Sequence, residues 1–254
     1  MIGVAVEADI DYRSGEILEF SGMSFMNKFN IVEYMENKYK VKSSVYKLLN
    51  VEALACMNEL AIKDYIYVHI GAGIGAAIVI DGKVYQGANG KAGELVRVKS
   101  PSGLSWEQEN NTTILYRKII STANKNPTSR LSSILMEEIS IPHGNHDKAL
   151  MLVIERALEE GIEEVVTEVN KAAEGWANII YTLHIFFDPA AIIVGGDITY
   201  RTPNIFGIVK NAVEQKCGQE KINLFVNNKD TSSRAVAVNM LDQVFNSLYE
   251  QLMP

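Results

Sequence analysis

Residues 71–94 read Gly-Ala-Gly-Ile-Gly-Ala-Ala-Ile-Val-Ile-Asp-Gly-Lys-Val-Tyr-Gln-Gly-Ala-Asn-Gly-Lys-Ala-Gly-Glu. An apolar run precedes this stretch, and a second apolar run follows three alternate glycines, Gly71, Gly73 and Gly75. The pattern predicts a β-hairpin whose tip has a bare backbone. Glycines at such positions favour either a tight turn or a loop that a phosphate or another ligand approaches closely.

The second half of this stretch predicts another turn and another loop. Asp81-Gly82 is typical of a two-residue hairpin turn, and residues 83–85 predict a short strand. The segment 87–94 is rich in glycine and ends on a carboxylate, Glu94. The stretch therefore combines two glycine loops with one acidic group that can accept hydrogen bonds.

The pattern from Gly71 to Glu94 resembles the signature of the ROK family, which contains bacterial repressors, sugar kinases and uncharacterised proteins. The resemblance extends from Ile2 to about Leu252. It implies an α/β protein with the actin-like ATPase (ribonuclease H-like) kinase fold. It also implies one ROK-like region over residues 1–254, with a small lobe over 1–60, a larger α/β lobe over 61–254, and a homodimer.

The start of the chain differs from the family pattern. The strand predicted over Met1–Val6 corresponds to one that lies well inside the family's fold, and no Asp-x-Gly-Gly-Thr phosphate loop occurs in the sequence. No helix-turn-helix precedes that strand. We therefore expect an N-terminally truncated version of the fold that does not bind DNA directly.

Composition agrees with a soluble cytoplasmic protein. The 254 residues carry a net charge of −7, and an acidic chain without a basic cluster is a poor candidate for binding DNA. The two cysteines, Cys56 and Cys217, lie far apart and suggest a reducing compartment. The sequence shows neither a leader peptide nor an apolar run long enough to span a membrane.

Asn50 stands where the resemblance places the general base of the family's kinases, an Asp that takes a proton from the sugar hydroxyl. An amide has no lone pair basic enough for that step near neutral pH, so it can position a hydroxyl but not deprotonate it. Asn50 also suits a helix N-cap, and the two roles are compatible. No residue is assigned a catalytic role.

A second group of positions concerns zinc. The family's kinases follow the Glu94 position with a His that binds zinc and sugar and with a cysteine-rich loop, but here the His position is Arg97 and residues 101–107 contain no cysteine. We therefore predict no zinc and no other metal. The cluster around His143 and His146 is interpreted as a loop. Arg97 either forms a salt bridge with Glu94 or attracts an anionic ligand such as a sugar phosphate or sugar acid.

These residues give two sets of candidates. One is a remnant of the nucleotide loops, in which Ala72 replaces the usual Thr. The other is a sugar-binding set. The nucleotide-loop remnant consists of Gly71, Ala72, Gly73, Gly75, Gly195 and Gly196, and the sugar-binding set consists of Glu94, Asn50, Arg97, Asn89, Gly90 and Glu52.

Three hypotheses follow. The first is a catalytically inactive, sugar-sensing protein related to transcriptional regulators of carbohydrate metabolism, with a sugar or sugar derivative as ligand and no cofactor. The second is a divergent ATP-dependent sugar kinase that lacks an N-terminal segment and uses ATP and magnesium. The third is a degenerate paralogue that pairs with an intact subunit.

Overall fold

The chain folds into two units that interleave along the sequence. The computed structural model describes residues 1–20, 23–141, 146–199, 201–227, 236–238 and 240–241. The smaller unit comprises residues 1–63, 77–92 and 229–254, and the larger unit comprises residues 64–76 and 93–228. The smaller unit therefore includes two segments that a division near residue 60 assigns to the larger lobe. The final helix predicted over 234–252 and the loop at His143 lie mostly outside the described residues.

The smaller unit is built on a pair of parallel strands. Strand β1 (Ile2–Val6) pairs with β4 (Ser43–Lys47), with Val4 opposite Val45. Between them lie the antiparallel strands β2 (Asp9–Asp11) and β3 (Glu16–Glu19) and helix α1 (Ile31–Tyr39), and helix α2 (Leu48–Leu60) follows β4.

The smaller unit has two apolar clusters. One joins the hairpin to β4 through the buried residues Ala8, Ile10, Ile17 and Val45. The other joins Tyr46 and Val51 to the described part of the C-terminal segment at Val236. Among the described residues of that segment, Val236 and Met240 pack in the cluster that contains Tyr46 of β4 and Val51 of α2.

The larger unit is built on a parallel sheet. Strand β5 (Tyr65–Ile70) lies between β8 (Ala191–Gly195) and the start of β6 (Ile74–Ile80), and β9 (Leu224–Val226) pairs with the other side of β8. Both β5 and β8 are almost entirely buried, which explains their continuous apolar sequences. Their register sets His69 opposite Gly195. In the smaller unit, the end of β6 turns at Asp81 and Gly82 and pairs antiparallel with β7 (Lys83–Val84).

Six helices of the larger unit surround this sheet in the described residues. They are α3 (Trp106–Asn110), α4 (Thr112–Lys125), α5 (Arg130–Ile139), α6 (His146–Glu159), α7 (Glu163–Phe187) and α8 (Pro203–Cys217). The sequence predicts one helix over residues 105–123, but Asn111 interrupts it by ending α3 and capping α4. The completely buried Trp176 of α7 donates its indole N–H to Asn110 O at 2.5 Å.

A buried carboxylate holds the start of α8. Glu155 of α6 is 5% exposed, and its Oε1 accepts the backbone N–H of Asn204 at 2.7 Å and the Asn204 amide at 2.9 Å. Its Oε2 accepts the backbone N–H of Ile205 at 3.2 Å. Because the first amides of a helix have no partner within the helix, a carboxylate at this position satisfies them and interacts favourably with the helix dipole.

We expect Glu155→Ala to lower the free energy of unfolding by about 1–3 kcal/mol, because it leaves the buried Ile205 N–H and the part-buried donors of Asn204 without this acceptor. Glu155→Gln keeps one acceptor oxygen and should lose less. Chemical denaturation followed by circular dichroism measures both. Equal stabilities for wild type and Glu155→Ala would show that Glu155 does not support α8.

Candidate functional site

The glycine turn of the larger unit lies at the end of β5. Gly71 N–H donates to Gly73 O at 3.0 Å, which closes the turn, and Gly75 lies within β6. None of the three alternate glycines has a positive φ. At Gly71 the packing is close, since an added methyl would lie 2.9 Å from His69 Nε2 and 3.2 Å from Asp197 Oδ2 and would make these side chains shift. Ala72 is exposed at the tip.

The second pair of candidate glycines meets this turn because β8 runs parallel to β5. Gly195 ends β8, and Gly196 has a φ of +94° with its Cα against Ile70, where a methyl would lie 2.5 Å from the carbonyl oxygen. A side chain at Gly196 would therefore be strained and would clash with β5. The structure thus brings the predicted nucleotide-loop remnant together at the carboxyl ends of two adjacent parallel strands.

An acidic residue stands directly after these glycines. Asp197 Oδ2 accepts hydrogen bonds from Thr112 Oγ1 at 3.1 Å and from the Tyr116 hydroxyl at 3.3 Å. The backbone N–H of Thr112 donates to Gly71 O at 2.9 Å, so one residue of α4 holds both the turn and the carboxylate. Burial and the negative charge of Asp197 raise the pKa of Tyr116, which keeps the phenol protonated as a donor.

A second carboxylate fixes the other side of the turn. Glu107 Oε2 accepts the backbone N–H of Ile74 at 3.0 Å. Glu107 lies on α3, whose start is fixed by a capping box between Ser105 and Gln108. Two carboxylates of the protein therefore flank the turn. Glu107 accepts the Ile74 N–H, and Asp197 lies beside Gly71.

Glu94 and Arg97 also lie in the larger unit. Gly93 has a φ of +81°, and its carbonyl accepts the N–H of Ala76 at 3.0 Å, which ties the loop to β6. Glu94 is half-buried and precedes a short 3-10 helix, Leu95–Arg97, in which the Arg97 N–H donates to Glu94 O at 3.0 Å. The alternative roles of the Arg97 side chain stay predictions.

The remaining sugar candidates lie in the smaller unit, where Asn50 contacts Tyr12. The Nδ2 of Asn50 donates to the Tyr12 hydroxyl at 2.8 Å. The N-cap prediction for Asn50 is wrong, because α2 already begins at Leu48 and Asn50 lies inside the helix. The Asn50 side chain hydrogen-bonds to Tyr12 instead. The amide is thereby oriented with its nitrogen toward the phenol.

The loop of Asn89 and Gly90 reaches the same tyrosine. Gly90 has a φ of +69°, and a methyl on it would lie 3.7 Å from the Tyr12 ring, so the ring and the loop backbone are neighbours. Asn89 is exposed beside it. Glu52 lies two residues after Asn50 on α2, a spacing that points the two side chains in different directions. Its proposed sugar contact stays a prediction.

Two residues that organise these places were missed at the level of sequence, Tyr12 and Asp197. Tyr12 joins Asn50 to the Gly90 loop, and Asp197 joins the two glycine turns. The position of Asp197 directly after Gly195-Gly196 was a usable signal, because it puts a carboxylate next to a predicted nucleotide loop. Tyr12 gave no comparable signal.

Within the described ranges, no group of three His, Cys, Asp or Glu side chains is arranged to hold a metal ion. In the same part of the chain, no helix is both long and apolar enough to cross a bilayer.

Comparison with known proteins confirms the class that this arrangement indicates, an α/β protein of the actin-like ATPase fold. A ROK-family glucokinase from Streptomyces griseus, solved with glucose and AMPPNP, matches 94% of this chain and 80% of its own chain with a TM-score of 0.77 at 19% identity. That likeness establishes the fold.

The sequence is similar to one family over part of the chain. The ROK family model matches residues 1–99, which include both glycine loops of the hairpin stretch. A xylose repressor from Staphylococcus xylosus is 25% identical over 71% of this chain, and a β-glucoside kinase from Listeria monocytogenes is 26% identical over 84% of it. This chain spans 42% of the repressor and 69% of the kinase. The relationship to the ROK family that the glycine motifs predict is confirmed.

Tyr12 gives a testable pH dependence. Burial, with a smaller contribution from the negative charge of Asp9, raises the pKa of Tyr12 to about 12 in the folded protein. The unfolded chain loses this proton near pH 10, so the free energy of unfolding should fall as pH rises from about 10 to 12. Tyr12→Phe removes the titrating group and should make that decline shallower, by at most roughly 1.4 kcal/mol per pH unit. Denaturation curves across this interval measure both slopes, and identical slopes would contradict the assignment.

Proposed function

We propose that this chain is a catalytically inactive, sugar-sensing protein that binds a sugar or sugar derivative without transferring a phosphoryl group. The relatives support a sugar-related role, since they include a xylose repressor and a β-glucoside kinase. We propose that this chain acts like the repressors and not like the kinases.

The observation that carries the proposal is the contact between Asn50 and Tyr12. The amide nitrogen donates to the Tyr12 hydroxyl at 2.8 Å, and no described residue supplies a hydrogen bond to Asn50 Oδ1. That oxygen can accept a hydrogen bond from a sugar hydroxyl. It cannot remove the proton, because an amide oxygen is far too weak a base near neutral pH. The position retains the ability to bind a hydroxyl and has lost the ability to activate it.

Asp197 supports the same conclusion from the larger unit. In the family resemblance, the turns at Gly71 and Gly196 cradle the nucleotide, and the Asp197 carboxylate lies beside Gly71. A negative charge at this place repels the phosphates of a nucleotide. Phosphoryl transfer depends on positioning and charge stabilisation of those phosphates, so in this proposal the Asp197 carboxylate, when no cation neutralises it, opposes catalysis as well as binding.

The wider proposal includes a cytoplasmic homodimer without zinc or a nucleotide cofactor. Direct DNA contact by this chain is not part of the proposal, because its net charge is −7. In this proposal, Asn89, Gly90 and Glu52 assist Asn50. Glu94 and Arg97 serve as additional sugar contacts on the strength of the family resemblance.

A divergent sugar kinase is the alternative. Its support is the retained turn geometry at Gly71 and Gly73 and the likeness to a glucokinase solved with a nucleotide analogue. It differs from the main proposal in one measurable property, the binding of ATP with magnesium.

We expect a thermal-shift screen to separate the two. Xylose, glucose, β-glucosides and their derivatives should include a stabilising ligand, and a ligand at 100 times its Kd adds roughly 2.7 kcal/mol of stability. ATP with magnesium should give no shift. A shift with ATP would favour the kinase, and the absence of a shift with every sugar and derivative would contradict sugar sensing.

A substitution at Asp197 tests whether its negative charge excludes the nucleotide. Asp197→Asn removes the charge but keeps an acceptor for Thr112, so we expect weak ATP binding to emerge, whereas wild type binds none. Asp188→Asn is the matched control, since Asp188 is an exposed residue of the same unit and the net charge changes equally. Calorimetric titration with ATP and magnesium measures this. Unchanged behaviour of Asp197→Asn would remove Asp197 as the reason for nucleotide exclusion.

A further inference from the structure

The smaller unit contains a cavity of about 670 Å³, within the range of small-molecule sites. Its lining is mixed: the buried Val45 and Val51 and the half-buried Leu54 are apolar members of it, and serines and Gln86 are among its polar members. Asn50 and Tyr12 also line it, so the hydrogen-bonded pair of the proposed sugar site borders this space. The cavity is formed by separate parts of the unit: the β2–β3 turn, β4, α2 and β7.

The charges around the cavity are of one sign. Arg13, Lys47 and Lys83 line it, and no described lining residue is an Asp or a Glu. The whole chain has the opposite balance, with 31 acidic residues against 24 Lys and Arg. Arg13 comes from the β2–β3 turn, Lys47 from the end of β4 and Lys83 from the start of β7. The three cations thus converge on one cavity from distant parts of the sequence.

The polar groups suit a ligand that has hydroxyls as well as negative charge. The Tyr12 hydroxyl accepts from Asn50, and no described residue accepts its proton, so it can donate to a ligand. Asn50 Oδ1 can accept in return. Arg13 and Lys83 are exposed, which puts their charged groups toward the solvent side, whereas the valines are buried. A ligand with an anionic end outside and a hydroxyl-bearing body inside would use all of these groups.

We infer that this cavity binds a phosphorylated monosaccharide, with Arg13 and Lys83 on the phosphate and the Asn50–Tyr12 pair on the sugar hydroxyls. A phosphate monoester carries nearly two negative charges and three acceptor oxygens at neutral pH, which matches several cations better than a neutral sugar does. This inference rests on the proposed function, because Asn50 serves both, and it names the class of sugar derivative.

The test is calorimetric titration of the full chain with xylose, glucose and mannose, each compared with its monophosphate, and with inorganic phosphate. We expect at least one monophosphate to bind roughly tenfold or more tightly than its parent sugar, because charge-assisted hydrogen bonds are the stronger kind. The affinity should fall with added salt. Inorganic phosphate should bind more weakly than that monophosphate.

The double variant R13Q/K83Q should abolish the difference between the monophosphate and its parent sugar. Lys63→Gln is the control, an exposed lysine of the same unit that does not line the cavity, and it should keep the difference. Both variants change exposed side chains, and their melting temperatures without ligand show whether folding is intact.

The outcomes separate this inference from the proposed function. If a neutral sugar binds as tightly as its monophosphate, or if R13Q/K83Q leaves monophosphate binding unchanged, the phosphate site is wrong while sugar sensing stands. If inorganic phosphate binds as tightly as the monophosphate, the sugar part of the inference is wrong. If neither sugars nor their monophosphates bind, both the inference and the proposed function fail.

Discussion

The parallel pairing of β5 with β8 is the constraint on which the larger unit depends. It sets His69 opposite Gly195 and so delivers two glycine turns, from places more than 120 residues apart, to one edge of the sheet. Thr112 then connects that edge to α4 through Gly71 and Asp197. The close approach leaves no room for a side chain at Gly196. The same geometry that would admit a nucleotide here admits a carboxylate of the protein itself.

In the smaller unit, the corresponding feature is the uncharged, hydrogen-bonded pair of Tyr12 and Asn50. Tyr12 and Asn50 orient each other and leave one donor and one acceptor beside a cavity whose charged lining residues are Arg13, Lys47 and Lys83. Such a site can select a ligand by hydroxyls and charge, but it contains no group basic enough to activate a hydroxyl.

Local features were predictable from sequence, and long-range ones were not. The hairpin of β5 and β6 was predicted from its glycines and apolar runs, and Asp81-Gly82 forms the expected turn with φ values of 52° and 73°. These features depend on neighbouring residues. The pairs Thr112–Asp197 and Tyr12–Asn50 join residues 85 and 38 positions apart, so they became visible only when the fold placed them together. The N-cap expectation for Asn50 failed because α2 begins at Leu48, two residues before Asn50.

Phosphorus NMR of ATP and magnesium incubated with the full chain and the sugar that binds it tests the central claim most directly. The account predicts that the ATP signals remain those of the protein-free control and that no phosphate ester of the sugar forms, although the sugar is bound. A growing sugar-phosphate signal with matching loss of the ATP γ-phosphate would contradict the account, because it would demonstrate phosphoryl transfer without a carboxylate base at position 50.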